Sequence, residues 1–213
     1  MKVLFTIPNG NGLMHKECHM AAIKIMGDGR YKVDHSCPTL APYAHNLNTC
    51  VQAVLDGGYD YWLTFDDDNP PLYNPLDRVG DNLDVCGFPT LVWNQRENPP
   101  FYFNAFIEHE DKYKPWPTCE GLQEVDAIGS GCMLIARRVL EALQDNQPFC
   151  RIWDDKGLVE LGGDLNFCRK ARAAGYRIWA DYERPCEHWK HIPIMNAIDL
   201  VGKYAQRREM TCV

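Results

Sequence analysis

The sequence predicts an α/β layer fold with a mostly parallel sheet, built as one compact domain, on three observations. Short β-branched and aromatic runs alternate with longer stretches of helical spacing; glycines stand just past the helical stretches; and 46% of the 213 residues are apolar, enough for a substantial core.

In chain order, Lys2 to Ile7 reads as a strand that stops at Pro8-Asn9-Gly10-Asn11-Gly12, a run of turn formers. His15 to Met26 has helical spacing. Tyr43 to Leu55 is a second helix, closed by Gly57-Gly58, and Asp60 to Phe65 is the next strand. Val85 to Val92 reads as a further strand, and the Pro- and aromatic-rich stretch Asn98 to Pro117 as an extended hairpin or flap. Val125 to Ile128 is a strand that meets Gly129-Ser130-Gly131, after which Cys132 to Ile135 continues as strand and Arg138 to Leu143 as helix. Asp164 to Ala174 is helical, with Gly175 at its stop position, and Arg177 to Ala180 is a short strand. Residues 189–213 read as a tail or lid.

Composition narrows the function. A net charge of −7 offers no general attraction for a phosphate backbone, and the basic cluster Arg137, Arg138, Arg169, Lys170 and Arg172 reads as two solvated helix faces. No apolar run reaches the roughly 20 residues that span a bilayer, and Pro8 interrupts the first apolar run too early for a signal peptide, so a cytoplasmic protein is expected. The 10 cysteines are evenly spread without CxxC pairs, which fits free, mostly buried thiols. His15, Cys18 and His19 could share one helical face, but no second ligand pair of zinc spacing follows.

The most informative stretch is Trp62-Leu63-Thr64-Phe65-Asp66-Asp67-Asp68-Asn69-Pro70-Pro71. In open α/β sheets ligands collect beyond the carboxyl ends of strands, which is where this reading puts the three aspartates. Adjacent carboxylates raise one another's pKa, whereas a hard divalent cation removes the repulsion; held by one or two carboxylates, Mg²⁺ or Mn²⁺ keeps positions for the phosphates of a nucleotide diphosphate. An acidic turn is the competing explanation, since Asp, Asn and Pro all form turns.

Three segments in this order, YDYWLTFDDDNPP, VDAIGSGCMLIARRVLEAL and GGDLNFCRKARAAGYRIWADYERPCEHWK, resemble GT-A-fold glycosyltransferases, in particular small bacterial and phage-type enzymes similar to glycosyltransferase family 2. The resemblance runs from Lys2 to about His188. It implies a metal-dependent transfer of a sugar from a nucleotide-sugar donor to an acceptor hydroxyl. Asp66 and Asp68 match the DxD motif, Asp66 toward the ribose and Asp68 on the metal, with Asp66 also counted among the metal ligands and Asp67 beside them on the substrate side. His188 falls where relatives complete the metal shell, with His191 as a neighbour of the same type. An imidazole ligand suits Mn²⁺ better than Mg²⁺.

The resemblance further implies that Thr6, Pro8 and Asn9 cradle the base, that Asn46 holds the donor, and that Gly129, Ser130 and Gly131 line the cleft, flanked by Trp93, Trp153 and Asp154. Asp164 matches the carboxylate that deprotonates the acceptor in inverting enzymes, although Gly163 replaces the usual glutamate before it. Turn, cap and core explanations compete for Asn9, Asp164 and the tryptophans respectively. The acceptor stays open among a glycan, a lipid-linked glycan, a protein and a modified nucleobase in DNA. A sugar-nucleotide nucleotidyltransferase would carry a glycine-rich, lysine-containing segment that Pro8 to Gly12 lacks. A haloacid-dehalogenase phosphatase would carry DxDxT or DxDxV after the strand, whereas Asp68 is followed by Asn69-Pro70. A non-catalytic nucleotide- or sugar-binding module remains the other class.

Overall fold

A computed structural model describes residues 1–10, 12–93, 101–110, 112–117, 119–144 and 147–190. In chain order the elements are β1 (Lys2–Thr6), α1 (Lys16–Met26), β2 (Lys32–Ser36), α2 (Tyr43–Asp56), β3 (Tyr61–Phe65), a 3-10 turn (Pro75–Arg78), β4 (Val85–Gly87), β5 (Leu91–Trp93) and β6 (Phe101–Phe103). There follow β7 (Ala105–His109), β8 (Lys112–Pro115), β9 (Leu122–Val125), β10 (Ala127–Ile128), β11 (Cys132–Ala136), α3 (Arg137–Leu143), β12 (Ile152–Trp153), β13 (Val159–Leu161), α4 (Gly163–Ala173) and β14 (Ile178–Asp181).

The central sheet has the order β2-β1-β3-β11-β4-β14-β9. β1, β2 and β3 pair in parallel, as do β4 and β14, while β11 runs against both β3 and β4 and β9 runs against β14. Five of the seven strands therefore share one direction and present their carboxyl ends along a common edge. β3 is buried throughout, which is why Tyr-Trp-Leu-Thr-Phe reads as a continuous rather than an alternating run. Its side chains still divide between the two faces. Trp62 joins Leu4 and the inner residues of α2, α3 and α4; Leu63 and Phe65 join Val3, Phe5 and α1 on the other side.

Several expected boundaries move, each for a local reason. Val85 to Val92 is two strands, because the chain turns out of the central sheet at Phe88-Pro89 and β5 pairs with β6 instead. Val125 to Ile128 is also divided: β9 closes the central sheet, while β10 pairs with β7 beyond a corner at Asp126, whose carboxylate accepts from the Glu108 N–H at 2.8 Å. The described part of the 98–117 stretch contains the antiparallel hairpin β7-β8; residues 98–100 and 111 lie outside the described residues. β2, Lys-Val-Asp-His-Ser, was not anticipated. It is an edge strand, half-exposed, and its polar composition hides it.

The basic cluster is largely committed to structure. Arg137 pairs with Glu141, Arg138 with Asp84, and Arg172 with Glu108 and Asp126. The nine described cysteines are free, six of them buried. Cys18 turns inward toward the Asp66 carbonyl (3.6 Å) while His19 is exposed, so the two do not face a shared metal. Among the described residues no helix is long and apolar enough to cross a membrane.

Candidate active site

The aspartate triplet follows β3 directly, at the carboxyl edge of the sheet. Its backbone is fixed on three sides: Asp66 N–H donates to the Gly131 carbonyl (2.9 Å), the Asp67 carbonyl accepts from His15 N–H (3.0 Å), and Asn69 N–H closes a turn on the Asp66 carbonyl (3.2 Å). A second strip of chain, beyond β14, is then laced alongside. Cys186 N–H donates to the Pro89 carbonyl (2.9 Å), Glu187 N–H to Pro70 (3.0 Å) and Trp189 N–H to Asp68 (2.8 Å). This lacing carries His188 across more than a hundred residues of sequence to the triplet.

The result is a cleft of about 270 Å³ lined by Asp66, Asp68, Ser130, Asp164, His188 and Lys190, with Gly129 and Gly131 in its wall. His188 Nε2 lies 3.8 Å from Asp68 Oδ2. The other ring nitrogen, Nδ1, is 2.9 Å from the Leu91 carbonyl, which can only accept. That contact holds a proton on Nδ1 and turns Nε2 toward Asp68, the orientation from which a neutral imidazole can ligate a metal. Lys190 pairs with the same Asp68 oxygen.

Asp66 sits deeper and takes a short hydrogen bond from the Tyr43 hydroxyl. Burial pushes its carboxyl up to about 7, the Tyr43 bond opposes this, and Asp68, Asp164 and Asp67 add repulsion. Burial, followed by the charge of Asp66, raises the Tyr43 phenol well above its usual range.

Asp164 lies in the first turn of α4, one residue inside the helix, with Gly162 in the cap position. Its oxygens accept from Leu165 N–H (2.9 Å) and Ser130 N–H (3.3 Å), so the carboxylate is aimed at the cleft by two backbone donors and by the favourable helix N-terminus.

Among the described residues no group of three or more His, Cys, Asp or Glu side chains forms a metal site. Asp66, expected as a ligand with Asp68 and His188, is bonded to Tyr43 instead. The remaining Asp68 and His188 pair still fits a cation that takes its other ligands from phosphate and water, which is how Mg²⁺ and Mn²⁺ are commonly held.

Other expected residues do not reach this cleft. Thr6 is buried and accepts from Trp62 Nε1 (2.8 Å) while bonding Thr64 Oγ1 (3.2 Å) in the core. Pro8 is buried behind it, and Asn9 builds the turn, donating to the Leu13 carbonyl (2.8 Å) and accepting from Gly12 N–H (2.6 Å). Asn46 donates to the Pro38 carbonyl (2.8 Å), and Asp67 is absent from the lining. Trp153 stands in a neighbouring cleft. Trp93 is half-buried. His191 lies outside the described residues.

Gly129 and Gly131 line the cleft, and they also make room for protein side chains. A Cβ on Gly129 would come within 2.7 Å of Asn104 Nδ2, and one on Gly131 within 2.8 Å of Asn69 Oδ1 and 3.0 Å of Thr90 Oγ1. Sequence reasoning missed Tyr43, Asn69, Asn104 and Lys190. Only Asn69 carried a signal, its place directly behind the triplet.

No family model and no curated protein matches the sequence. Solved structures do. A197 from STIV overlays with a TM-score of 0.60 at 17% identity, over 90% of this chain and 87% of that one. GalNAc-T7 with UDP, GalNAc and Mn²⁺ overlays at 0.52 with 12% identity, over 90% of this chain.

The fold is GT-A-like.

The chain spans 44% of GalNAc-T7, so the GT-A-like unit is the part the two have in common. A UDP-glucose pyrophosphorylase complexed with UDP-glucose overlays at a TM-score of 0.48 and 9% identity, too loosely to bear on function. At such identities the likeness speaks for the GT-A-like fold alone.

Proposed function

We propose that this protein is a metal-dependent glycosyltransferase, one domain over residues 1–213, that moves a sugar from a nucleotide-diphosphate sugar to an acceptor hydroxyl. The observation that carries the reading is the meeting, in one cleft, of a carboxylate-imidazole pair, Asp68 and His188, with a second, separately oriented carboxylate, Asp164. The GalNAc-T7 structure, with UDP and Mn²⁺ on a similar fold, supports it.

Asp68 and His188 would hold Mn²⁺, or Mg²⁺ with less preference, and the ion supplies charge neutralisation for the departing nucleotide diphosphate. Ser130 and the flanking glycines wall the space between that pair and Asp164. Asp66, fastened by Tyr43, would meet the ribose side of the donor. Asp164, with Oδ1 and Oδ2 each held by a backbone N–H, takes the acceptor's proton as the new glycosidic bond forms in an inverting course.

The test is a screen of nucleotide sugars by thermal shift with Mn²⁺, followed by turnover of the hit. A native-state ligand raises the melting temperature. Asp164→Asn is expected to keep that shift and to lose transfer by about 10²-fold or more, as removal of a general base does. Unchanged turnover in Asp164→Asn removes Asp164 from the chemistry, and a donor that binds without ever releasing nucleotide makes the protein a binding module.

A further inference from the structure

A second cleft, of about 480 Å³, opens beside the first, between the start of α2 and the loop leading into β12, lined by Tyr43, His45, Phe149, Arg151 and Trp153 among others. The two clefts share a wall. The Tyr43 ring lines the second while its hydroxyl bonds Asp66 in the first. The Phe149-Cys150 backbone packs against Gly163, the residue before Asp164; a Cβ there would be 3.8 Å from it. A molecule seated in the second cleft therefore lies against the strip of backbone that packs on the helix turn carrying the proposed base.

The lining has a definite chemistry. Trp153 is 56% exposed, although a tryptophan ordinarily buries most of its surface. It is held firmly: β12 and β13 form a hairpin whose turn is closed by Asp154 Oδ1, which accepts from Lys156 N–H (2.9 Å) and Leu158 N–H (2.8 Å). Arg30, Arg78, Arg138, Arg172 and Arg177 each pair with a carboxylate. Arg151, among the described residues, takes part in no ion pair and faces the cleft with His45 exposed near it. An indole face with a guanidinium and an imidazole at its rim suits a pyranose, whose C–H face is apolar and whose edge carries hydroxyls. The volume lies in the range of small-molecule sites, room for one or two sugar units and too little for a folded partner.

We propose that this second cleft is the acceptor subsite and that the acceptor is a carbohydrate, stacked on Trp153 and hydrogen-bonded by Arg151. The assignment rests on the glycosyltransferase reading above.

The experiment titrates the donor-free protein with maltose, cellobiose, N,N′-diacetylchitobiose and lactose, followed by tryptophan fluorescence and by saturation-transfer NMR on the sugars. At least one disaccharide is expected to bind at millimolar concentration; Trp153→Ala should weaken it about tenfold or more, Trp153→Phe should restore most of the affinity, and Arg151→Ala should weaken it severalfold. The thermal shift produced by the nucleotide sugar is read alongside. If none of the four sugars binds, or if Trp153→Ala reduces the donor's shift instead of the sugar's binding, the acceptor assignment is overturned. A donor shift in the wild-type protein leaves the transferase reading standing in either case, and the absence of any donor shift overturns that reading whatever the sugars do.

Discussion

Asp68 is where the chemistry of single residues is most exposed to test. Lys190 neutralises the oxygen that a cation would need, so a divalent ion must displace it. A partly exposed ion pair is worth about 0.2–1 kcal/mol, so Lys190→Ala should tighten Mn²⁺ binding by up to about fivefold, read by the loss of the free-ion EPR signal. Weaker binding in that variant would mean that Lys190 helps to hold the ion's partners instead. A second residue-level outcome concerns pH. Asp28 accepts from Arg30 and Asn74, and the Arg30 hydrogen bonds, ahead of every other influence, lower its carboxyl to about 2. A depressed folded pKa contributes stability that is complete above the unfolded value near 4 and disappears as pH falls toward 2. The stability gap between the wild type and Asp28→Asn should accordingly narrow across that window in urea titrations; a gap independent of pH would contradict the pairing. The triplet was legible at this scale because it is contiguous and follows an apolar strand. Tyr43 was not, because a tyrosine at a helix start has no local mark of the carboxylate it will meet.

Between elements, the segment 129–131 shows how glycine serves the site indirectly. Gly131 leaves room for Asn69, whose amide donates to the Glu187 carbonyl (3.3 Å) and so helps to hold the strip that bears His188. Gly131→Ala should push Asn69 aside, lowering stability by about 1–3 kcal/mol and weakening Mn²⁺ binding together. Denaturation and metal titration on the same variant check both, and intact metal binding would dissociate the glycine from the strip. Elements with strong internal patterning, α2 and β3 above all, were read within a residue or two of their ends. Those that failed were decided by partners. β4 and β5 part because each finds a different neighbour, and the β12-β13 hairpin consists of two and three residues, too short to show a period.

For the molecule as a whole, one buried charge cluster ties the end of β14 to the 3-10 turn. Asp181, at the end of β14, is fully buried and accepts from Arg78 (2.7 Å) in the 3-10 turn and from Arg184 (3.2 Å). Removing one partner of a buried pair leaves a charge without compensation, so Arg78→Ala should cost about 3 kcal/mol in chemical denaturation, tempered by Arg184. A loss below about 1 kcal/mol would show that Arg184 alone satisfies Asp181. Because β14 leads into the strip that ends at His188, this variant should also weaken Mn²⁺ binding.

The sequence by itself determined the alternation of strands and helices, the burial of β3 and the placing of an acidic triplet at its carboxyl end, all of which follow from local polarity and backbone preference. Tertiary structure alone decided which distant groups meet those aspartates: His188 and Lys190 through a backbone lacing, Tyr43 through the approach of α2, and Asp164 through the docking of α4. Side chains that converge across a hundred residues do so through sheet order and main-chain hydrogen bonds, and neither leaves a periodic trace in the chain.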